Sequence, residues 1–502
     1  MEHEAEYWSH LESTQRQWYP DFIRLLSDQI GAEQDKRQVA VITFQDRARP
    51  LTQVFSKSKD LRRYFDRAPI SPPPCEPECR RLFVLEGLPK KFIQLLGSRL
   101  QVPPSFFAAH CPRTGKFVGS LLNQSLRNQN SQSRFTLIFP RLHWAKIQEE
   151  TSNDVYPVYF MQSSITRQIY HITLFKGLKG PLWGVERASF WSAHERQSGD
   201  ALLLVDPPLG DFVMRPGNPV PRLVIHQNPE SVNPRDIMEV SLSQSGSWYP
   251  PFSANSAGEV PGMKSMFDDV VNLYKARKCQ STADPKICTD ICRQLVLSAW
   301  TARLRVMEAE VIRKQYQMSI SSTTSTIDYR TWLDKSWTQP WKEREFGGLV
   351  RAKSVLETTS TNLFYNMDAL GIGGRSPVGE EWETDAWKSL QNAILTLKTR
   401  VDIMSEAYTQ AVSVRESIVA NTQARQVGYL TSLATLFVPV SFIAAVFSMG
   451  GEYAAGQQRF YVFWAVSLPV VVVASCIYFF GDYILSVLPK RSIRNQKEQY
   501  IV

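Results

Sequence analysis

Residues 429–449 read YLTSLATLFVPVSFIAAVFSM and contain no charged side chain. The uncharged stretch around them lies between Arg425 and Glu452. A helix rises about 1.5 Å per residue, so a run of this length crosses a hydrocarbon core of about 30 Å. The sequence therefore predicts a membrane-spanning helix over 429–449.

A second uncharged run follows after a short connection. It reads FYVFWAVSLPVVVVASCIYFFG over residues 460–481, between Arg459 and Asp482. The length of both runs and their lack of charge argue against two core helices of a soluble domain, so we interpret them as a transmembrane hairpin. The predicted segments are a first span over 429–449, an extracytoplasmic loop over 450–459 and a second span over 460–485.

The ends of the chain predict its orientation in the membrane. Residues 486–502 form a basic tail that contains Lys490, Arg491, Arg494 and Lys497, and such clusters stay on the cytoplasmic side. The acidic N-terminus is unlike a signal or transit peptide. We therefore predict a multi-pass plasma-membrane protein with both termini in the cytosol; a vacuolar or other endomembrane location is the alternative. No long Lys/Arg run lies outside the tail, so the net charge of +9 predicts membrane-surface contact and no nucleic-acid partner.

Upstream of the hairpin, the composition changes from one segment to the next. Residues 1–80 are mixed, with one strand-like run at 38–44. Residues 81–233 predict an α/β cytosolic domain, because short β-branched and aromatic runs alternate with Gly, Pro and Asn. Those runs lie at 82–86, 135–139, 156–160, 168–175, 186–191, 201–205 and 222–225. Residues 234–262, rich in Ser, Pro, Gly and Asn, predict a linker.

Residues 263–428 have the pattern of long helices. The last helix starts near Glu383 and meets no Pro or Gly before Gly428. Its apolar side chains alternate in steps of four and three, at Leu390, Ile394, Leu397, Val401, Met404, Tyr408 and Ala411. This heptad seam predicts packing along a partner helix, from the same chain or from a copy. The predicted fold class is an α+β cytosolic domain with long stalk helices, followed by the two-helix transmembrane hairpin.

The first span also carries a family pattern. Its Pro439, Ser441, Phe442, Ala444 and Met449 stand without a gap in the spacing of the corresponding pattern of CorA-type divalent-cation transporters. A long stalk helix precedes the span, and a short loop, a second span and a basic tail follow it. In this order the chain resembles a fungal-type branch of that family over about residues 385–495. The resemblance implies a homopentameric channel in the lipid bilayer for a divalent cation, foremost Mg²⁺, with no cofactor other than the transported ion.

One motif departs from the family. Gly-Met-Asn stands here as Ser448-Met449-Gly450, and Gly450 has no side-chain oxygen with which to receive a hydrated cation. Backbone carbonyls could replace that contact, so Ser448, Met449, Gly450 and the nearby Glu452 form the predicted pore mouth. The departure leaves two alternatives to Mg²⁺ transport: Zn²⁺ or Co²⁺ transport, and a membrane-anchored scaffold or regulatory protein that has lost conduction.

The resemblance implies that the first span lines the pore, and its periodicity selects a face. Steps of three and four from Ser441 give Val427, Leu430, Ala434, Val438, Ser441, Ala445 and Ser448. The face has no charge and combines apolar side chains with small hydroxyl groups. It would suit a hydrated ion, because Mg²⁺ gives up water reluctantly, and its apolar rings could gate by dewetting. Hydroxyl groups that only bond helix backbones are the alternative interpretation.

Acidic residues are the candidates for the regulatory cation sites that the resemblance implies. They are Asp268 and Asp269, and a second group of Glu380, Glu381, Glu383 and Asp385. Acidic residues at a helix start also complement the helix dipole, which is the plainer interpretation. The seven histidines, His110 among them, are scattered, and we find no phosphate loop or nucleophile motif. We therefore predict that the protein is not an enzyme.

Overall fold

The computed structural model describes most of the chain. The described residues are 2–17, 19–27, 37–44, 49–67, 80–111, 134–143, 145–147, 158–162, 165–171, 182–192, 200–215, 218–226, 265–276, 288–323, 339–372, 381–448, 451 and 456–487. Within them the chain divides into two compact units, Met1–Ser405 and Glu406–Val502.

The first unit contains all of the strands that the structure describes. In chain order the elements are α1 (Glu2–Gln15), α2 (Pro20–Ser27), β1 (Val39–Phe44), β2 (Leu51–Phe55), α3 (Ser58–Arg67), β3 (Arg80–Glu86), α4 (Lys90–Leu100), α5 (Pro104–His110), β4 (Arg134–His143), β5 (Ala145–Ile147), β6 (Val158–Gln162), β7 (Thr166–His171), β8 (Leu182–Ser192), β9 (Asp200–Val205), β10 (Phe212–Arg215), β11 (Asn218–His226), α6 (Met266–Ala276), α7 (Asp290–Thr323), α8 (Gln339–Ala369) and α9 (Glu381–Ser448). The helix α10 (Tyr461–Val487) lies in the second unit, and the boundary between the units falls within α9.

The described strands form one mixed sheet. Its order is β2-β1-β3-β9-β8-β7-β6-β10-β11-β5, and β4 pairs with β8 off this path. Strands β3 and β9 are parallel, with Val84 beside Leu203, and the predicted runs at 82–86 and 201–205 are confirmed as strands. The sheet also takes in β1 and β2 from the mixed region 1–80, where we had expected only one strand-like run.

Two layers of helices cover the centre of the sheet. Alternate side chains of the central strands, such as Val41, Phe83 and Leu204, join one apolar core with residues of α1 to α5. Their neighbours in the strands are buried as well, because α6 packs on the opposite face, where Phe44 and Tyr274 make an edge-to-face contact at 5.5 Å. Burial on both faces explains why these strands are almost continuously apolar.

The N-terminal helix α1 is held by contacts far away in sequence. The hydroxyl of Tyr7 donates to the carbonyl of Val102 at 2.8 Å, and the Lys90 ammonium lies 3.9 Å from the Trp8 ring centroid. The Tyr7 ring lies so close to Gly97 that an added Cβ would approach it to 2.3 Å. Glycine is therefore needed at position 97 for α1 to pack in this way.

The predicted heptad seam of α9 is confirmed as a buried stripe. Leu390, Ile394, Leu397, Val401, Met404 and Tyr408 are buried, and Ala411 is half-buried. A partner in the first unit is α8, whose buried side chains also recur in steps of three and four, from Leu349 to Met367. Ion pairs join Lys353 to Asp402 at 3.0 Å and Lys398 to Glu357 at 3.5 Å, so the two helices run antiparallel.

Candidate functional site

The second unit presents the candidate membrane segment. Among the described residues, α9 is long and apolar enough to cross a membrane, and Tyr461–Cys476 of α10 form a shorter apolar stretch. The two uncharged runs lie in helices, the first in α9 up to Ser448 and the second in α10 from Tyr461 onward.

The face of α9 that we predicted to line a pore is exposed along its whole length. Its larger side chains, Val427, Leu430 and Val438, are 65%, 76% and 64% exposed. Its smaller members, Ala434, Ser441, Ala445 and Ser448, are exposed as well. In this part of α9 no described side chain on the face carries a charge, so the face is an uninterrupted apolar and hydroxyl-bearing surface.

The opposite side of α9 contacts α10. The ring of Phe447 meets that of Phe463 edge-to-face at 6.0 Å, Ile443 is buried, and Ser467 of α10 is buried. At about 100° per residue, the centre of the predicted face lies about 180° from Ile443 around the helix axis. The contact with α10 therefore leaves the predicted face uncovered, together with neighbouring positions such as Phe442 and Val446.

The hydroxyl groups of this segment fall into two classes. Thr431 donates to the carbonyl of Val427, and Thr435 donates to that of Thr431, each at 2.8 Å. These two hydroxyls are satisfied by their own helix, as the alternative interpretation expects. Ser441 is exposed and makes no hydrogen bond to another described residue. Its hydroxyl is therefore available to water or to a hydrated ion.

The predicted pore mouth is described only in part. Ser448 is the last residue of α9, whereas Met449, Gly450 and Glu452 lie outside the described residues.

The acidic candidates for regulatory cation sites already have partners in the first unit. Asp269 at the start of α6 pairs with Arg141 of β4 at 2.7 Å. Ser265 caps α6: its Oγ accepts the Asp268 amide hydrogen and donates to the Asp268 carboxylate, both at 3.0 Å.

Of the second acidic group, Glu381 is exposed in the first turn of α9, while Glu380 lies outside the described residues. Glu383 is buried and forms an ion pair with the Arg293 guanidinium at 3.0 Å. Within the described ranges, no three His, Cys, Asp or Glu side chains come together in a way that could hold a metal ion.

A buried charge cluster in the first unit was not predicted from the sequence. Asp206, directly after β9, accepts two hydrogen bonds from the guanidinium of Arg167, one of them at 2.8 Å, and lies 3.0 Å from Nε2 of His110. Asp206 is 0% and Arg167 1% exposed, and Nδ1 of His110 lies 2.8 Å from the hydroxyl of Ser189. Burial alone would raise the pKa of Asp206, but Arg167 and His110 outweigh it and hold the pKa well below its usual range.

The position of Asp206 explains why this charge is buried. Strand β8 pairs with β7 through residues 182–184 and with β9 through residues 188–192. Between these stretches the amide of Arg187 donates to the Asp206 carboxylate at 2.9 Å. The side chain thus replaces a strand partner where β7 and β9 separate. An Asp directly after a buried parallel strand was the available signal, but its partner lies 39 residues away in sequence.

A second buried carboxyl lies on the other face of the sheet. Glu186 of β8 lies 3.6 Å from His143 and 3.9 Å from Arg141, and makes no close hydrogen bond with either. Burial raises the pKa of Glu186 to about 8, against the lowering effect of Arg141. Since Arg141 lies closer to Asp269, Glu186 is only weakly compensated for the loss of water.

Comparison with known proteins gives matches among solved structures. The complete structure of the CorA magnesium transporter from Methanocaldococcus jannaschii matches with a TM-score of 0.35 and 11% identity, over 88% of this chain and 97% of that one. The structure of the full-length CmaX protein matches with a TM-score of 0.38 and 10% identity, over 91% and 100%. No family model and no curated protein matches the chain.

Proposed function

We propose that this protein carries a divalent metal cation, foremost Mg²⁺, across a membrane through a channel made of several copies of the chain. The observation that carries the proposal is the uncharged, exposed face of α9 opposite its contact with α10. The sequence resemblance to CorA-type transporters supports the same function and suggests five copies.

The need for several copies follows from the size of the hairpin. Two helices in contact, as at Phe447 and Phe463, leave no room between them for water. An aqueous path therefore needs further α9 helices, each turning the same face toward a common axis. In that arrangement Val427, Leu430 and Val438 form apolar rings, and Ser441 and Ser448 form rings of hydroxyl groups.

The chemistry of this face suits a hydrated cation. Mg²⁺ binds oxygen ligands and loses its water reluctantly, so a pore without carboxylates favours passage with water retained. Apolar rings can close such a pore by dewetting. By the positive-inside rule, the basic tail favours a cytosolic position for both termini, and the plasma membrane is the proposed location.

The test is flux of Mg²⁺, Zn²⁺ and Co²⁺ into liposomes that contain the purified full-length protein and a trapped indicator. Ser441→Leu puts a large apolar side chain on the proposed axis, and we expect flux to fall at least about tenfold because dewetting becomes easier. Val446→Phe adds apolar bulk at an exposed position away from that face and should leave flux near the wild-type value.

Three other outcomes contradict parts of the proposal. Equal losses of flux in both variants would show that the predicted face does not line the pore. Flux of Zn²⁺ or Co²⁺ without Mg²⁺ would change the transported ion. No flux of any of the three from a folded oligomer would leave the membrane-anchored scaffold, which the Ser448-Met449-Gly450 motif favours.

A further inference from the structure

The backbone of one residue of the sheet, Ile138, binds side chains from two long helices. The amide of Ile138 in β4 donates to Oδ1 of Asn366 at 2.8 Å. The carbonyl of Ile138 accepts from Nδ2 of Asn366 at 2.7 Å and from Nε1 of Trp300 at 2.9 Å. Asn366 belongs to α8 and Trp300 to α7, and both side chains are buried. Helices α7 and α8 are thus fixed to the sheet at the same residue.

The chemistry of this contact is specific to a carboxamide. Asn carries a donor and an acceptor side by side, so it can satisfy both polar groups of one residue, as a neighbouring strand would. A buried peptide group that loses such a partner costs far more than an exposed one. The two bonds therefore define both the height and the rotation of α8 relative to β4.

The same level of the sheet is supported from its other side. Ile138 lies directly opposite Arg187 in the pairing of β4 with β8. The amide of Arg187 donates a hydrogen bond to the Asp206 carboxylate at 2.9 Å. At this position the outward-facing backbone groups of the strand pair are thus hydrogen-bonded by side chains, by Asp206 on the β8 side and by Asn366 on the β4 side.

Helix α8 in turn contacts α9. The pairs of Lys353 with Asp402 and of Lys398 with Glu357 lie along the α8–α9 contact. They are about two to four turns from Asn366 along α8, at 3.6 residues per turn. A displacement of α8 at Asn366 would therefore reach α9 along this contact within the first unit.

We propose that the backbone of Ile138 is a joint through which the α/β sheet sets the position of α8 and, through α8, of α9. Asn366 is then a positioning residue for the transport path, and that last step rests on the function proposed above. When the joint opens, the stalk segment 394–404 of α9 loses its support, while the strands at the far side of the sheet keep theirs.

The experiment uses Asn366→Asp in the full-length protein, with hydrogen exchange measured as protection factors. The introduced carboxylate can accept a hydrogen bond from the Ile138 amide, but it repels the Ile138 carbonyl. The protonated acid can form hydrogen bonds to both groups, as Asn does. Burial raises the pKa of such a group. The acid is therefore protonated at about pH 5.5, where the joint is closed, and ionised at about pH 8, where the joint opens. The control is Asn362→Asp, one turn earlier on α8 and less buried. It shows how protection changes with pH because of all other titrating groups.

We expect protection in 134–143 and 394–404 of Asn366→Asp to fall about tenfold or more between about pH 5.5 and about pH 8, relative to Asn362→Asp. Protection in β1 and β3 should change less than about twofold, because the sheet remains folded. Cation flux should change over the same pH interval. Selective exchange in a protein without any flux would retain the joint and overturn only the proposed transport.

Two results would overturn the joint. One is loss of protection confined to α8 and β4 with 394–404 unchanged. The other is equal loss in β1 and β3, which would mean that Asn366 serves global stability alone. If Asn366→Asp does not fold at either pH, Trp300→Phe removes one of the three bonds and keeps an aromatic ring. It is then compared with Trp382→Phe, at an exposed position, by the same criteria.

Discussion

The first unit buries charged side chains, whereas the second unit exposes apolar ones. The first unit buries charged side chains, such as Arg167 and Asp206, and surrounds them with hydrogen bonds from its own strands. The second unit has no charged residue between Arg425 and Glu452 and exposes apolar side chains such as Leu430 and Tyr461.

The difference shows what each unit needs in order to be stable. A buried charge is tolerated only when its partners are fixed in place, and the first unit supplies those partners from within the chain. Exposed apolar helices are stable only when lipid or other helices cover them. The first unit therefore satisfies its buried charges from within the chain, whereas the exposed apolar helices of the second unit call for a covering of lipid or of other helices.

Removing the carboxylate of Asp206 should give the largest loss of stability. Asp206→Ala leaves Arg167 buried without its counter-charge, and breaking such a pair costs about 3–5 kcal/mol. The measurement is thermal or denaturant unfolding of the full-length protein in detergent. Asp21→Ala, which removes an exposed pair with Arg24, is the matched control and should stay within about 0.5 kcal/mol of wild type. Equal stability of the two variants would show that the buried cluster is dispensable.

A charge placed on α9 should act differently on its two sides. Ile443→Lys puts an ammonium on the side that contacts α10, where a lysine at the helix centre costs about 2.5–3.5 kcal/mol of insertion free energy. We expect little folded protein in the membrane fraction. Ser441→Lys, on the side facing the proposed pore, should insert and assemble but block cation flux by repulsion.

The control for this pair is Ile443→Leu, which keeps an apolar side chain and should insert like the wild type. Equal membrane yields for Ile443→Lys and Ser441→Lys would mean that the two sides of α9 are not distinct. The yields are measured by size-exclusion chromatography after extraction, so that insertion and assembly are scored together.

How far the sequence predicted these regions depends on the range of the interactions. The seam of α9 and its exposed face follow from local periodicity, because every third or fourth residue shares a side of a helix. Helix α1 lacks such a signal: it is acidic with few apolar residues, and contacts such as Tyr7 with Gly97 hold it. The cluster of Asp206, Arg167 and His110 joins three separate segments, so no spacing in the sequence could have indicated it.

Glu186 should make the stability of the first unit depend on pH. Burial raises the folded-state pKa of Glu186 to about 8. A carboxyl with a raised folded-state pKa contributes stability that is fully present below its unfolded pKa and is lost as the pH rises through the folded one. The unfolding free energy of the wild type should therefore fall between about pH 5 and about pH 8, by at most about 1.4 kcal/mol per pH unit for this group.

Glu186→Gln cannot ionise, so its unfolding free energy should decline less over that interval, and the variant should exceed the wild type in stability near pH 8. Glu86, whose pKa burial raises to about 7, remains in the variant and leaves a residual slope of the same sign. The exposed Glu357→Gln should keep the wild-type slope. Parallel curves for Glu186→Gln and the wild type would mean that Arg141 compensates the carboxylate fully. The buried charge of the first unit would then cost no stability at neutral pH.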